Sequence, residues 1–254
     1  MKFEISNNFH EHVSRIPDLA EGMKVHCLPH LTYIDSGLSC DTFNIIYIHH
    51  SELTAKELSE ALIYFQSREL DYCIWANEES LRQNVKTLLS SNAITEQASE
   101  VGMALKFENY QYVENVNHLN IRRVDDEESL TTYSRVIAQN WSPPDQNVIN
   151  YYSRTATHYL DPNNNIKLYI YYHEDKPVSS VELFPSDHET VGFYGFATLE
   201  AYRGKGIGTT LLTFALNMAK DLGYRNAILQ GTEDGHNIYK KFGFKDYTTY
   251  YEFV

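Results

Sequence analysis

The sequence predicts an α/β (α+β) protein of two units, each with a mixed, mostly antiparallel sheet and helices on both faces. Three observations lead to this prediction. Strand-like and helix-like hydrophobic patterns alternate through residues 1–116 and again through residues 117–254. In the second half, a glycine-rich turn joins a buried strand directly to an amphipathic helix. The 254 residues, of which 43% are hydrophobic, suffice for a sizeable core.

The first half has the order strand, helix, strand, helix, strand. Residues 42–49 have the apolar centre of a buried strand, and a capping box that begins at Thr54 starts a helix. A short strand at residues 72–75 precedes Asn77, which is predicted to cap the next helix, and residues 101–107 form a further strand. The helix residues predicted to face the core are Leu58, Ala61, Leu62, Phe65, Leu81, Val85, Leu88 and Leu89.

A polar, weakly periodic segment, residues 109–120, separates the halves, and the division is placed between residues 116 and 117. Because this segment is not a Gly/Ser linker, the two units are expected to pack together. In the second half, Asp125 or Asp126 caps one helix, with Tyr133 among its inward-facing residues, and Asp145 caps the next, with Val148, Tyr152 and Tyr159 along one side. Strands are predicted at residues 119–124, 166–172, 177–184, 190–199, 226–230 and 247–253, the last completing the sheet of the second unit. The strand at residues 226–230 is predicted to be parallel to the strand at residues 190–199, from which a crossover helix leads to it.

The most informative segment is the turn Arg203-Gly204-Lys205-Gly206-Ile207-Gly208, which follows a strand and precedes a helix. A glycine-rich turn at a helix N-terminus directs free backbone N–H groups and the positive end of the helix dipole outward. Since the glycines lack Cβ atoms, an anion can approach the backbone closely. The sequence therefore predicts an anionic ligand here. The helix is predicted to end at Gly223 and to bury Ile207, Leu211, Leu212, Ala215, Ala219 and Leu222.

Two common phosphate-binding motifs do not fit this turn. A dinucleotide fingerprint, G-x-G-x-x-G, requires a small residue at Thr209 when it is counted from Gly204. Counted from Gly206, it requires a small residue at Leu211. The P-loop pattern, G-x-x-x-x-G-K-S/T, does not occur in the chain.

The pattern that fits is R-x-x-G-x-G, formed by Arg203, Gly206 and Gly208. At this point the chain resembles the GNAT superfamily of acyl-CoA-dependent N-acyltransferases. In that family the motif Q/R-x-x-G-x-G/A holds the pyrophosphate of CoA through backbone amides. The resemblance therefore implies acetyl-CoA as the ligand of the turn and acyl transfer as the reaction.

A second family signature, N-x-x-A-x-x-L-Y-x-x-x-G-F, is similar to residues 232–244. The chain matches it at Tyr239, Gly243 and Phe244, with Ile238 in place of the leucine, whereas Thr232 and Gly235 replace the usual asparagine and alanine. The acetyl-CoA site that the resemblance implies consists of Phe196, Ala197, Thr198, Arg203, Gly204, Lys205, Gly206, Ile207, Gly208, Thr209, Thr232, Asn237 and Tyr239.

The first half resembles the N-terminal half of tandem GNAT proteins, in which one half is a degenerate copy. This resemblance depends on the element order and on the stretches D-T-F-N-I-I-Y and C-I-W-A-N. Since the first half lacks R-x-x-G-x-G, it is not expected to bind CoA. We expect it to pack against the second half, and either to shape the acceptor cleft or to form a homodimer contact.

The resemblance also implies catalytic residues. Tyr239 occupies the position of a tyrosine that protonates the departing CoA thiolate in many family members, and a phenol stays protonated at neutral pH. Family members with a glutamate base on the central strand place it near residues 192–194, where this chain has no carboxylate. Glu182 on the preceding strand is the nearest replacement, and deprotonation through water or binding of a neutral amine remains open. The candidate substrate-binding residues are Trp141, Tyr151, Tyr152 and Tyr194.

Composition limits the remaining possibilities. A net charge of −13 disfavours nucleic acid and acidic membranes as partners and favours amine substrates. No apolar stretch long enough for a membrane span or a secretory leader is found, so a cytoplasmic location without membrane association is expected. Three unpatterned cysteines fit a reducing compartment. The pairs His26/His30 and His49/His50 lack a completing carboxylate, so no metal site is expected.

Three functions are compatible with these features. The first is an N-acetyltransferase that transfers an acetyl or other acyl group from acyl-CoA to a primary amine of a small molecule, peptide or protein. The second is a non-catalytic acyl-CoA-binding regulatory protein, which the missing base and Thr232 would allow. The third is an aminoacyl or peptidyl transferase that uses charged tRNA, against which the intact R-x-x-G-x-G and the acidic charge argue.

Overall fold

The computed structural model describes all residues, Met1–Val254, and divides them into two compact units. The first unit comprises Met1–Met103, Gln230–His236 and Asp246–Val254, and the second comprises Ala104–Leu229 and Asn237–Lys245. This partition differs from the division at residues 116/117, because residues 104–116 belong to the second unit and the C-terminal strand belongs to the first. As a domain assignment, the division at 116/117 stays a prediction.

The first unit contains a mixed sheet with the strand order β1-β2-β3-β4-β11-β5. Strands β3 and β4 are parallel and are joined by helix α2, whereas β1/β2, β2/β3 and β4/β11 are antiparallel. The elements are α1 (Lys2–Leu19), β1 (Lys24–Cys27), β2 (Leu31–Asp35), β3 (Ile45–Ile48), α2 (Ala55–Gln66), β4 (Cys73–Asn77), α3 (Gln83–Ser91), β5 (Glu96–Lys106, its last residues in the second unit) and β11 (Lys245–Phe253).

Helices cover both faces of this sheet. On one face, the apolar sides of α2 and α3 form a core with the strands, including Leu58, Phe65, Val85 and Ile74. On the other face lies α1, which the sequence analysis did not predict. Its Phe9 ring lies 4.9 Å from the ring of Tyr47 and 5.1 Å from that of Tyr250.

The structure confirms one predicted helix start in this unit and corrects another. Thr54 and Glu57 form the predicted capping box of α2, with Thr54 Oγ1 accepting from the Glu57 amide at 3.3 Å. Asn77 does not cap α3, because that helix begins six residues later with Arg82 as its N-cap residue. Instead, Asn77 Oδ1 accepts from the Ser80 amide at 2.8 Å and closes the turn that follows β4.

The second unit contains a mixed, mostly antiparallel sheet with the order β10-β9-β8-β7-β6. Strands β9 and β10 are parallel and are joined by α7, as predicted. The elements are β6 (Ile121–Arg123), α4 (Glu127–Ala138), α5 (Gln146–Arg154), α6 (Ala156–Tyr159), β7 (Lys167–His173), β8 (Lys176–Pro185), β9 (Thr190–Thr198), α7 (Ile207–Asp221), β10 (Asn226–Gly231) and α8 (Glu233–Lys241). The end of β10 and the start of α8, within Gln230–His236, belong to the first unit.

The C-terminal strand β11 does not complete the sheet of the second unit, so that prediction was wrong. It pairs with β4, with Tyr250 opposite Asn77 and Phe253 opposite Ile74. Strand β4 is buried and parallel to β3 on one side, so its other edge also needs hydrogen-bond partners, which β11 supplies. The alternation of apolar and polar residues along residues 245–253 indicates a strand, but it does not show which neighbouring strand this one pairs with.

Residues 107–113 contact α7, which explains why they belong to the second unit. Asn217 on α7 accepts from the Tyr110 hydroxyl at 3.0 Å and donates to the Val113 carbonyl at 2.7 Å. Lys220 Nζ donates to the carbonyls of Phe107 and Tyr110 at 3.1 and 2.9 Å. The polar composition of this segment, which suggested a boundary, instead provides these hydrogen bonds.

Two helix predictions in the second unit also need correction. The helix that Asp145 caps ends at Arg154, and Tyr159 lies on a separate short helix, α6. Leu222, predicted to be buried, is 47% exposed because α7 ends at the preceding residue. Asp126, one of the two alternatives, is the N-cap of α4. No helix in the chain combines the length and apolarity needed to cross a membrane.

Candidate active site

The glycine turn lies between β9 and α7 in the second unit. Gly206 is the N-cap residue of α7 with a φ of +78°, and Gly204 has a φ of +73°. Both values lie in the left-handed region that favours glycine. A Cβ atom at either position would meet no atom within 4 Å. Because no side chain caps α7, its first N–H groups remain available to an anion in this open space.

Two other residues of the motif hold the turn against β9. A Cβ atom at Gly208 would lie 3.2 Å from Thr198 Oγ1 and 3.4 Å from Phe196 Cζ, so glycine permits this close approach. Arg203 Nε donates to the Thr198 carbonyl at 3.0 Å. Arg203 and Gly208 therefore attach the turn to the strand, while Gly204 and Gly206 border its open side.

Strand β9 contains a bulge beside this turn. The register with β8 shifts between Ser180 and Glu182, where Gly195 and Phe196 together stand opposite one residue. Gly195 has a φ of +52°, which is consistent with a glycine at such a bulge. The bulge changes the direction of the backbone in the middle of the second unit's sheet.

Two serines of β8 stabilise the bulged strand. Ser180 Oγ donates to the Gly195 carbonyl at 2.8 Å, and Ser179 Oγ donates to the Ala197 carbonyl at 2.5 Å. Both serines are buried, so these hydrogen bonds are shielded from water. The carbonyl groups of the bulge are thus fixed from the β8 side.

The pairing on the other edge of β9 ends after its first residues. Strand β10 pairs with β9 only from Thr190 to Gly192, although β9 continues to Thr198. The later part of β9, from Phe196 to Thr198, lies beside the glycine turn. The edge of a strand beside a glycine turn can bind an extended ligand through backbone hydrogen bonds.

Tyr239 on α8 lies beside the same strand. Its ring centroid is 6.1 Å from that of Phe196 and 5.9 Å from that of Phe244, and the residue is 8% exposed. Since Phe196 belongs to the bulge, the structure brings Tyr239 close to it. The second signature thus positions its tyrosine on α8, beside the bulge of β9.

Four tyrosines form a cluster on the helices that cover the sheet of the second unit. The ring centroid of Tyr152 lies 5.3 Å from that of Tyr133, 5.7 Å from that of Tyr151 and 5.0 Å from that of Tyr159. All four residues are buried, with at most 6% exposure. We refer to Tyr133, Tyr151, Tyr152 and Tyr159 as the tyrosine cluster.

The carboxylate of Glu182 on β8 lies next to the tyrosine cluster and is 1% exposed. Burial raises the pKa of all four tyrosines, and for Tyr151, Tyr152 and Tyr159 the negative charge of Glu182 is the next cause. The four phenols therefore stay protonated well beyond neutral pH. A phenol in this state can donate a hydrogen bond to a carboxylate or to a ligand.

The candidate substrate-binding residues lie in different surroundings. Tyr151 and Tyr152 are part of the tyrosine cluster, whereas Trp141, in the loop after α4, is 43% exposed. Tyr194 is partly exposed, pairs with Glu182 across β8 and β9, and has its ring 6.3 Å from that of Phe184. Side chains of paired residues in an antiparallel sheet lie on the same face, so Tyr194 and Glu182 share one face.

Four of the remaining candidate cofactor-binding residues are on the surface, whereas Ile207, the first residue of α7, is buried. Lys205, in the glycine turn, and Thr209, near the start of α7, are both exposed. Lys205 Nζ lies 4.9 Å from the ring centroid of Tyr202. Thr232 and Asn237 are also exposed, and the Thr232 carbonyl accepts the His236 amide at 2.9 Å in the first turn of α8. No contact in the structure distinguishes Thr232 or Asn237 as a ligand-binding residue.

The sequence analysis did not single out several residues of this region. Gly195 interrupts a strand pattern, which is a recognisable signal of a bulge. Tyr133 and Tyr159 appeared only as core-facing positions of helices, because spacing cannot show that they surround one carboxylate from a distant strand. No sequence pattern indicated the roles of Ser179 and Ser180, because a buried serine in a strand can be recognised only from its hydrogen-bond partner in the structure.

The comparisons with known proteins agree with this geometry. The model of the acetyltransferase (GNAT) family matches residues 128–244, which include β8, β9, the glycine turn and Tyr239. A search of curated proteins finds no match.

Solved structures share the fold over nearly the whole chain. A GCN5-related N-acetyltransferase from Kribbella flavida is 14% identical, with a TM-score of 0.70 over 98% of this chain and 93% of that one. A GCN5-related N-acetyltransferase from Sphaerobacter thermophilus is 14% identical, with a TM-score of 0.60 over 96% of this chain and 84% of that one.

A tandem GNAT protein from the clavulanic acid biosynthesis pathway is 10% identical, with a TM-score of 0.57 over 88% of this chain and 77% of that one. These similarities confirm the predicted fold class, a mixed α/β fold of the GNAT type. Together with the family match, they show that residues 128–244 correspond to the acetyltransferase (GNAT) family and that the chain has the fold of GCN5-related N-acetyltransferases.

Proposed function

We propose that the protein is an N-acetyltransferase that transfers an acetyl group from acetyl-CoA to a primary amine of a small molecule or peptide. The observation that carries the proposal is the uncapped helix N-terminus at Gly206 beside the part of β9 that lies beyond its pairing with β10. The first feature suits a pyrophosphate, and the second suits an extended arm that lies along a strand. The match of residues 128–244 to the acetyltransferase (GNAT) family supports the same reaction.

The residues of the turn fit the CoA moiety of the donor. Gly204 and Gly206 border open space at left-handed φ values, so a phosphate could approach their backbone. Thr198 and Phe196 would lie along the pantetheine arm, on the part of β9 beyond its pairing with β10. The thioester supplies an activated acyl group with a thiolate leaving group, and the protein must orient it and exclude water.

Tyr239 is proposed as the proton donor to the leaving thiolate. Its buried ring beside Phe196 supports this role, since Phe196 belongs to the bulge next to the glycine turn. A neutral phenol is an adequate acid for a thiolate that forms beside it. The same surroundings limit access of water to the departing group.

Glu182 is proposed as the group that accepts a proton from the amine or positions the amine. It is the buried carboxylate that shares a sheet face with Tyr194 at the bulge. The protonated phenols of the tyrosine cluster can fix the carboxylate by hydrogen bonds and surround an ammonium group with aromatic rings. An amine is therefore the acceptor class that this environment favours.

The proposal is tested by titrating acetyl-CoA into the protein by calorimetry and by following release of CoA thiol with a panel of primary amines. Saturable binding together with amine-dependent thiol release is expected. Binding without thiol release from any amine would favour a non-catalytic acyl-CoA-binding protein, and the absence of binding would refute both functions.

A matched pair of variants identifies the proposed base. Glu182→Gln should lower turnover by about 100-fold or more, as expected for loss of general-base catalysis, and should leave acetyl-CoA binding unchanged. Glu189→Gln removes an exposed carboxylate just before β9, whose partner is Arg225, and should leave turnover unchanged. Equal turnover of the two variants would exclude Glu182 as the base.

A further inference from the structure

Four histidines gather in the first unit where β3 ends. The ring centroids of His30 and His50 are 5.3 Å apart, and those of His10 and His49 are 5.9 Å apart. The amides of His49 and His50 both donate to the His30 carbonyl, at 3.1 and 3.2 Å. The loop between β1 and β2 is thus attached to the end of β3, and this attachment brings His30 and His50 together.

A carboxylate completes the cluster from the loop before α2. One potential metal-binding atom from each of His30, His50 and Glu52 lies within 4.8 Å of the other two. His30 Nε2 and Glu52 Oε2 are 3.9 Å apart. The sequence pattern shows no carboxylate that completes the histidine pairs, because Glu52 approaches His30 only through the fold.

His30 is oriented by a second carboxylate. Its Nδ1 lies 3.0 and 2.9 Å from the two carboxylate oxygens of Glu57, which also accepts the His30 amide at 3.2 Å. Since a carboxylate only accepts, Nδ1 carries a proton, and in the neutral imidazole Nε2 is then the atom that can bind a metal. A histidine whose Nδ1 donates to a carboxylate while Nε2 faces a second ligand has the arrangement found at metal sites.

The loop that carries His50 and Glu52 is held in place. Asn84 Nδ2 donates to the Ser51 carbonyl at 2.6 Å, Leu53 is buried, and Thr54 begins the capping box of α2. His50 Nδ1 accepts the Glu52 amide at 3.2 Å in an exposed position. A metal bound at Nδ1 of His50 would replace this weak contact, whereas a metal bound at Nε2 would require the tautomer that carries its proton on Nδ1.

We propose that His30, His50 and Glu52 bind a divalent transition-metal ion, with Zn²⁺ as the ion of reference. Two imidazoles and one carboxylate are ligands that zinc accepts, and three protein ligands leave one coordination position open. Ligand atoms of a tetrahedral zinc ion are roughly 3.3 Å apart, so the cluster must contract slightly. Glu52 is 77% exposed and can make this movement.

The open position would adjoin a cleft of about 300 Å³ at the carboxyl ends of the parallel strands β3 and β4. His50 lines this cleft together with His49, Ser51 and Asn77. The carboxyl ends of parallel strands are a common place for ligands in α/β proteins. The proposed site thus gives the first unit a ligand of its own, and it does not depend on the acyltransferase proposal.

Calorimetric titration of Zn²⁺ into the untagged, chelator-treated full chain tests the site. One equivalent is expected to bind and to raise the melting temperature. His50→Gln and Glu52→Gln, which change exposed side chains, should each weaken binding by about 100-fold or more, since each removes a ligand. His188→Gln, an exposed histidine of the second unit, should bind as the original protein does.

Glu57→Gln tests the orientation of His30. Glutamine can keep the capping box of α2, so the fold should be retained while zinc binding weakens by about 10- to 100-fold. The proposal would be overturned if the original chain bound no stoichiometric zinc. It would also be overturned if His188→Gln weakened binding as much as His50→Gln, or if all three changes in the cluster left it unaltered.

Discussion

The hydroxyl of Tyr133 occupies the space where a side chain of residue 195 would stand. A Cβ atom at Gly195 would collide with this hydroxyl and would lie 3.2 Å from Ile137 Cδ1, while the residue has a φ of +52°. Helix α4 can therefore lie on the bulge of β9 only because residue 195 is glycine. The tyrosine cluster and the bulge are parts of one packing arrangement.

Gly195→Ala should destabilise the protein by about 1–3 kcal/mol, because it adds both a steric collision and an unfavourable backbone conformation. Tyr133→Phe removes the hydroxyl, so the double variant should recover part of the loss, as measured by a double-mutant cycle in urea. Gly223→Ala is the matched control, since it has a φ of +90° with no atom within 4 Å of the added Cβ. A loss at Gly195 no larger than at Gly223 would show that the collision is relieved at no cost.

Gly206→Leu should weaken acetyl-CoA binding by at least about tenfold, because its side chain would enter the open space in front of the α7 N-terminus. Gly223→Leu places the same side chain at a similar φ at the other end of α7. Calorimetry of both variants separates the loss of a phosphate site from general backbone strain. Equal affinities would mean that the turn does not hold the pyrophosphate.

Tyr239→Phe should reduce turnover by about 10- to 1000-fold through loss of the proton donor. The KM for acetyl-CoA should change by less than about twofold, because the aromatic contacts with Phe196 and Phe244 persist. Steady-state thiol release provides both values. Tyr247→Phe, on β11, serves as the control, and unchanged turnover in Tyr239→Phe would remove Tyr239 from the mechanism.

Much of the second unit could be predicted because its signals are local. The glycine turn, the helix that follows it and the capping residues Asp126 and Asp145 each depend on neighbours within a few residues. The partner of β11 could not be predicted, because strand alternation does not encode which edge a strand joins. Helix α1 was missed although Ile5, Phe9 and Ile16 are buried at helical spacing, since polar residues and Pro17 interrupt the pattern.

The site was predictable where it consists of motifs and hidden where it consists of tertiary contacts. Arg203 was expected at the pyrophosphate, yet its Nε donates to Thr198 and fixes the turn. Glu182 lies near the tyrosine cluster because the fold brings together residues from one strand and three helices. No pattern of spacing within one element can encode such a meeting.

The tyrosine cluster should make stability depend on alkaline pH. Burial raises the pKa of its members above that of an unfolded tyrosine, so the folded state retains more protons above pH 10. The stabilisation is complete below that pH and is lost as the pH rises further. Of the 20 tyrosines, those of the cluster should titrate at higher pH than the exposed ones, as followed by tyrosinate absorbance in native and denatured samples. Titration of all tyrosines near pH 10 in the folded protein would contradict the burial of the cluster.

Glu182→Gln should shift the titration of Tyr151, Tyr152 and Tyr159 to lower pH. The carboxylate is the second cause of the raised pKa of these tyrosines after burial, and the amide removes its charge while keeping its size. The shift is measured by the same tyrosinate absorbance and needs no substrate. Glu127→Gln removes an exposed charge from the first turn of α4 and should leave the titration unchanged. If the two variants titrate identically, the Glu182 charge does not reach the phenols, and the proposed binding of an ammonium group between them loses its electrostatic basis.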